Sequence, residues 1–553
     1  MILRYSAVII LLCVNVVGTQ YATASIAFKD VTKKTGITFK HTDGGSGKFY
    51  IMETVTAGVA LFDYDNDGDI DIYFLNGSAL KGAKYKTPPR NALYRNDGNF
   101  KFTDVTDESG LGDTGFGLGV AVADYDNDGD LDVYLNNYGP NVLYSNNGDG
   151  SFSDVTKKAG VGDGNHVGAG TCFFDMDNDG DLDLYVSKYV TFSYEKNVTI
   201  TVEGFDAYVN PGAYVFPSDS LYRNNGDGTF TDVSKESGIA DHRGSGMGTI
   251  CADYDNDGDT DVFVANDSME NFLFQNDGKG NFEEVGLLAG TAYDFNGKVL
   301  GNMGVDCADY DNDGLLDFYV TSYSQQWATL YKNLGDGMFE DVTFSTGAGK
   351  ETFSNPTWGT GFADFDNDGD RDIFVAAGHL QPNIEKYSDQ MTFNARNELL
   401  MNIGDGKFVN ITEKAGKGLR VKLSSRGAVF GDLDNDGDID AVILNTKSKP
   451  TILRNDSANN NHWIAINLKG VKSSRDGTGA RVKVVTGKLS QIDEIHSGRS
   501  YQSHYGRRLH FGLGKHKKID RIEVKWPSGT VDVLKDISAD KLITITEGKN
   551  TIK

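Results

Sequence analysis

Cysteine is scarce in this chain: four residues in 553, with Cys13 inside an N-terminal apolar run. The other three, Cys172, Cys251 and Cys307, are too few for a disulfide framework. They read as buried free thiols, which pack like small apolar side chains. A Cys251–Cys307 bridge between neighbouring repeats is the open alternative. Long hydrophobic runs are missing beyond the N-terminus, so no membrane-spanning helix is expected. Basic charge is in deficit, 53 Lys and Arg against 79 Asp and Glu, a net charge of −26. That balance excludes nucleic acid as a natural partner. Three catalytic signatures are also lacking: the nucleophile elbow, the His-Glu-x-x-His zinc motif and a dinucleotide-binding strand–loop–helix.

The chain instead repeats one nine-residue loop seven times. The first copy reads Asp63-Tyr-Asp65-Asn-Asp67-Gly-Asp69-Ile-Asp71. The second carries Asp124, Asp126, Asp128, Asp130 and Asp132, and the third Asp175, Asp177, Asp179, Asp181 and Asp183. The fourth carries Asp253, Asp255, Asp257, Asp259 and Asp261. The fifth has Asp309, Asp311, Asp313, Leu315 and Asp317. The sixth and seventh have Asp364, Asp366, Asp368, Asp370 and Asp372, then Asp432, Asp434, Asp436, Asp438 and Asp440. Carboxylates at positions 1, 3, 5 and 9 repel one another unless a cation lies between them. Oxygen ligands at this spacing suit Ca²⁺, up to seven per chain. Gly at position 6 allows the sharp bend. Position 7 is Leu315 in the fifth copy, which fits if that position coordinates through its backbone carbonyl. The loops are not EF-hands. Position 12 is apolar in every copy, from Phe74 to Ile443, and ends a β-rich run.

Loop starts are spaced by 61, 51, 78, 56, 55 and 68 residues, the signature of an array or propeller. A Gly-rich apolar stretch such as Gly117-Leu-Gly119-Val-Ala precedes each loop. A Leu-Tyr-Arg-Asn strand, Leu93 to Asn96 in the first copy, and a Phe-x-Asp-Val-Thr strand, Phe102 to Thr106, follow. Asn-Gly and Asp-Gly turns between them are hairpin signals. Each unit is therefore four antiparallel strands. The last third strand, Thr451 to Asn455, has no outer strand after it, whereas an orphan outer strand stands at Phe28 to Thr32. Pairing them closes an all-β, seven-bladed propeller over residues 25–455 and removes an open sheet edge. An open solenoid would leave the orphan strand unexplained.

Residues 1–24 read as a secretory signal, with Arg4, the apolar run Ala7 to Leu12 and Ala22-Thr-Ala24 as cleavage site. The mature protein is expected outside the cytoplasm, secreted or periplasmic. From Asp456 the period breaks and lysine becomes frequent. Runs such as Trp463 to Leu468 and Ile519 to Trp526 predict a small antiparallel β-sandwich over 456–553. Within it Asp476-Gly-Thr-Gly-Ala-Arg481, Leu509-His-Phe-Gly-Leu-Gly514 and Val524-Lys-Trp-Pro-Ser-Gly529 resemble the ASPIC/UnbV domain. The seven repeats resemble FG-GAP/VCBS repeats, the propeller type of integrin α-chains. Together the two motif sets are similar to the cartilage-acidic-protein family over nearly the whole mature chain. The resemblance implies a secreted calcium-binding propeller with an appended β-domain, and no agreed biochemical activity.

All calcium loops join first to second strands, so they share one face. Residues flanking those strands at their other ends form a candidate ligand face. They are Glu53, Asn76, Asn137, His166, His242, Asn266, Asp267, Asn302, His379 and Arg426, with His41 able to reach the same side. The inserts Ser187 to Asp219, rich in Tyr and Phe, and Gly378 to Asn397 leave from that face. Arg499, Tyr501, His504 and Arg508 read as a solvated polar-aromatic loop. The leading functional reading is a non-enzymatic binding or adhesion-type module for an extracellular glycan or protein. The alternative is an extracellular hydrolase, lyase or metal-dependent oxidoreductase working on the histidine-bearing face.

Overall fold

The computed structural model describes residues 26–164 and 166–551, so the secretory segment lies outside the described residues. Seven four-stranded antiparallel units form the blades of a propeller, and two pairs of neighbouring blades join into eight-stranded sheets, at Val167 opposite Tyr138 and at Asp267 opposite Gly301. The second blade is representative: Phe116–Ala123 lines the axis, followed outward by Asp132–Tyr138, Val142–Asn146 and Phe152–Asp154. Glycine in the inner strand is a steric requirement. A Cβ on Gly119 would lie 2.0 Å from the Ala169 carbonyl oxygen of the next blade. The closure expected from the orphan strand is present. Phe28–Asp30 pairs antiparallel with Thr451–Asn455, Phe28 opposite Asn455, and completes the seventh blade.

The asparagine ending each third strand explains that part of the repeat. Asn96 donates from Nδ2 to Ile70 O in its own loop at 3.0 Å and to Leu433 O in the preceding blade at 2.8 Å. Asn146, Asn224, Asn276, Asn333, Asn402 and Asn455 donate in the same way to the loop of the preceding blade. These amides are buried, so each bond satisfies a carbonyl that has no strand partner. Neighbouring blades are thus stitched together by side chains where their sheets do not pair.

The C-terminal region folds into two sheets around a core that includes Ile464, Val482, Phe511 and Trp526. One sheet runs Leu489–Glu494, Arg481–Thr486, Lys518–Lys525 and Val531–Ser538, all antiparallel. The other runs Leu509–Gly514, His462–Lys469 and Lys541–Thr546. Its last pair is parallel, Ile464 opposite Lys541, rather than antiparallel as expected. Lys541–Thr546 crosses over from the first sheet and enters alongside His462–Lys469 in the same direction.

The segment from Ile495 to Arg508 is not a solvated loop. It threads the propeller axis. Leu61 N donates to His504 O at 2.9 Å, Val120 N to Gln502 O at 3.2 Å and Val305 N to Ser500 O at 3.1 Å. Three blades therefore pair their inner strands with it. Arg499, Tyr501 and His504 are 4%, 0% and 0% exposed. The Tyr501 hydroxyl reaches Val55 O at 2.9 Å and its ring packs edge-on against Trp358. Sequence periodicity could not reveal this, because the plug's partners lie hundreds of residues away.

Candidate metal centre

Each loop is shaped by its own carboxylates. In the first, Asp67 N and Gly68 N donate to the two oxygens of Asp63 at 3.1 and 2.9 Å, and Asp69 N to Asp67 Oδ1 at 2.8 Å. Asp71 accepts from Tyr64 N and from Asn96 N, at 3.0 and 2.7 Å. Asn66 at position 4 has φ 59° and Gly68 φ 94°. The left-handed region is open to glycine and tolerated by asparagine, which accounts for both residue types. The same bonds recur in the second, third, fifth, sixth and seventh loops.

Position 3 is the exception to this internal satisfaction. Oδ1 of Asp65, Asp177, Asp311, Asp366 and Asp434 is buried without a hydrogen-bond partner. Buried acceptors are normally paired, and a carboxylate oxygen left bare is costly. Positions 1, 3 and 9 also converge. One ligand atom from each of Asp63, Asp65 and Asp71 lies within 4.8 Å of the others, as in Asp124–Asp126–Asp132 and Asp175–Asp177–Asp183. Burial pushes Asp63 up to about 6, Asp124 to about 7 and Asp71 to about 8. Without a cation these buried carboxyls take up protons more readily than free ones. The all-oxygen donor set and the bare position-3 oxygens fit a hard divalent ion.

Two loops differ. In the fourth, Arg481 of the C-terminal region contacts Asn256 Oδ1 and Asp253 O, and pairs with Glu494 at 2.7 Å. Here Asp253 Oδ1 and Asp261 Oδ2 are the bare oxygens. In the fifth, the Lys332 ammonium pairs with Asp311 and with Asp313, the latter at 2.9 Å. This is the loop whose position 7 is Leu315.

The position-4 asparagines link the loops into a ring with one gap. Asn66 donates to Asp130 at 2.7 Å, Asn127 to Asp181 at 3.0 Å and Asn178 to Asp259 at 2.7 Å, each acceptor being position 7 of the next loop. Asn312 to Asp370 and Asn367 to Asp438 continue it at 2.9 and 3.0 Å. The step from Asn256 is missing, since Leu315 offers no side-chain acceptor. The amide oxygens of four of these asparagines face the C-terminal region. Asn127 accepts from Arg475 N at 2.9 Å, Asn435 from Arg508 at 2.6 Å and Asn256 from Arg481, while Asn367 bonds His510 at 2.7 Å. Sequence reasoning gave position 4 no role. Its identity in all seven copies was the available signal.

The candidate ligand face is mostly interior. His41, Glu53, Asn137, Asn266, Asp267, Asn302, His379 and Arg426 are buried, whereas His166 and His242 are half-buried. Two aromatic groups of the first insert account for part of this. Tyr208 donates to Glu53 at 2.7 Å and Tyr189 to Asp267 at 2.8 Å. Gln381 of the second insert exchanges two 3.0 Å bonds with the Tyr208 backbone. Arg426 stacks on Trp358 at 3.9 Å and donates to Thr54 O and Ser425 O. Asn137 and Asn266 close the turns after their strands by donating to Pro140 O and Glu270 O. These residues do the work of a packed lid. The three cysteines are free and buried.

The FG-GAP-like repeat profile matches residues 63–135, 124–186, 208–264, 253–320 and 309–375, more than half of the chain. The chain belongs to the FG-GAP repeat family. The ASPIC and UnbV profile matches residues 470–552 of this FG-GAP protein. Cartilage acidic protein 1 from Homo sapiens is 24% identical over 516 residues, 89% of this chain and 71% of that one. Its Xenopus tropicalis counterpart is 23% identical, covering 86% and 70%. A solved Agrocybe aegerita lectin shares 16% identity at a TM-score of 0.37, over 64% of this chain and 79% of that one, too loose an overlap to bear on function. The FG-GAP match ends at residue 375, yet the loop from Asp432 to Asp440 keeps the same internal bonds. No helix among the described residues is long and apolar enough to cross a membrane.

Proposed function

We propose that this FG-GAP protein is a secreted, calcium-stabilised, non-enzymatic binding module for an extracellular glycan or protein. The propeller occupies residues 25–455 and the appended ASPIC/UnbV domain 456–553. Asp at positions 1, 3, 5 and 9 and the position-7 carbonyl of each loop hold Ca²⁺. The observation that carries this reading is the set of bare, buried position-3 oxygens in five loops. A cation supplies the partner they lack. The ions then fix the loops on which the C-terminal domain rests. The enzyme alternative loses His41 and His379, 2% and 1% exposed, and Arg426, held by backbone carbonyls, and is left with the half-buried His166 and His242.

Thermal melting with and without chelator tests the proposal. With free calcium ~100-fold above Kd, each site adds roughly 2.7 kcal/mol. EDTA should therefore lower the melting temperature sharply, and calcium but not magnesium should restore it. An unchanged melting temperature would refute calcium binding by these loops.

A further inference from the structure

A cavity of about 320 Å³ lies between the propeller's first, second, sixth and seventh blades and the C-terminal domain. Phe62, Ile70, Leu131 and Phe430 give it an apolar propeller wall. Pockets of ~300–1,000 Å³ with apolar walls and a few convergent polar groups are the usual form of a small-molecule site.

Its charges do not balance. Three arginines on the wall are paired: Arg371 with Asp493 at 2.8 Å, Arg499 with Asp306 at 2.6 Å and Arg507 with Asp476 at 2.7 Å. Arg508 is not. Its two bonds, each 2.6 Å, go to the neutral oxygens Asn435 Oδ1 and Gly68 O. A guanidinium has five N–H donors, so donors remain for a ligand. Lys469 and Arg475 stand exposed on the same wall, and neither pairs with a carboxylate among the described residues. The remaining acidic groups of the wall are Asp63, Asp124 and Asp432. Each is position 1 of a calcium loop. Once an ion engages them, no free carboxylate on the wall answers Arg508, Lys469 and Arg475.

We infer that this interdomain cavity binds a small organic anion, a carboxylate- or sulfate-bearing molecule of sugar size. Arg508 takes the acid group, and Lys469 and Arg475 attract it. The guanidinium fork matches the two oxygens of either acid. The apolar wall takes the ligand's body. Calcium on the flanking loops engages Asp63, Asp124 and Asp432, the wall carboxylates that otherwise compete for Arg508, Lys469 and Arg475, so binding is calcium-dependent. This inference rests on the calcium reading above.

Isothermal titration of the full mature chain tests it, with calcium content measured on the same sample. The probes are glucuronate, N-acetylglucosamine 6-sulfate and neutral N-acetylglucosamine. The calcium-loaded chain should bind at least one anionic probe and not the neutral one, and the tighter of the two identifies the acid group. Arg508→Gln should weaken binding by about 10-fold or more, the equivalent of one charge-assisted hydrogen bond, at unchanged calcium content. Should that variant fold poorly, Lys469→Gln with Arg475→Gln, both at exposed positions, should weaken it several-fold. A chain that carries its calcium but binds neither anion, or binds all three probes alike, overturns the inference and leaves the calcium reading standing. A chain that never takes up calcium fails at the earlier step. Anion binding that is indifferent to chelation overturns the calcium dependence.

Discussion

The side-chain amide of Asn435 donates to Asp69 Oδ1 at 2.7 Å, across the seam where the seventh acidic loop meets the first. The two residues are 366 positions apart in sequence. Their bond spans on the loop face the same seam that the Phe28–Asn455 pairing spans in the sheets. The propeller is thus fastened twice at its seam, by backbone near the rim and by side chains at the acidic loops.

Asn435 carries two separable contributions, its hydrogen bonds and its left-handed backbone at φ 58°. Asn435→Gly removes only the first and should cost about 1 kcal/mol. Asn435→Ala removes both and should cost about 2–3 kcal/mol. Denaturant melts of the two variants check this. Equal losses would mean that the backbone geometry contributes nothing.

The fifth loop should fill last. Lys332 already neutralises Asp311 and Asp313. The corresponding arginines turn outward, Arg95 to Asp97 at 2.8 Å and Arg454 to Asp456 at 2.5 Å. A cation about 3 Å from a ligand oxygen costs an incoming ion on the order of 1.4 kcal/mol even at the dielectric of water. Lys332→Met should therefore tighten one site by about 10-fold. Calcium titration followed by native mass spectrometry should show one weak site in the parent chain and none in the variant. Identical titrations would contradict the role given to Lys332.

Calcium should exchange with protons. Asp63, Asp124 and Asp71 are pushed from 3.8 up to about 6, 7 and 8, in each case chiefly by burial. Their folded values exceed the unfolded one. In the calcium-free chain their contribution is therefore complete below pH of about 4 and is lost as pH rises through 6 to 8. Buried histidines oppose this. His41, His496 and His504 are each lowered to about 3, so they cost stability below about pH 6.5 and cease to above it. The histidines are common to both forms, so the gain in melting temperature on adding calcium isolates the loops. That gain should widen from about pH 5 to about pH 8. A constant or shrinking gain would contradict proton–calcium exchange.

How far the fold was legible follows from the range of the interactions involved. The loops, the four-strand unit and the closing strand are local patterns repeated at a period, and each is present. The Asn of Leu-Tyr-Arg-Asn and the loop Asn were visible as invariant letters but not as bonds, because their acceptors lie in neighbouring blades. The plug carries no periodicity at all, and its polar residues read as solvated. Arg499 is polar because Asp306 waits for it in the channel, 193 positions away. The histidine face misled for a related reason: strand direction placed those residues at the correct end, but not whether the inserts fold over them.

The plug should hold the domain in place through that pair. Asp306 accepts from Arg499 at 2.6 Å and from Tyr505 and Phe362 N at 2.8 Å each, with both charges buried. Arg499→Met leaves a buried carboxylate without a cation and should cost about 3–5 kcal/mol. Adding Asp306→Asn should recover part of that loss, since the pair is coupled. Full additivity of the two losses in thermal melts would show that the residues do not act together.

The central claim is that these loops are ion sites, and a metal count on the purified mature chain tests it most directly. Elemental mass spectrometry after mild dialysis should find six to seven calcium per chain, the fifth loop being the one whose ion Lys332 weakens. A chain with less than one calcium that still melts as a cooperative unit would contradict the account.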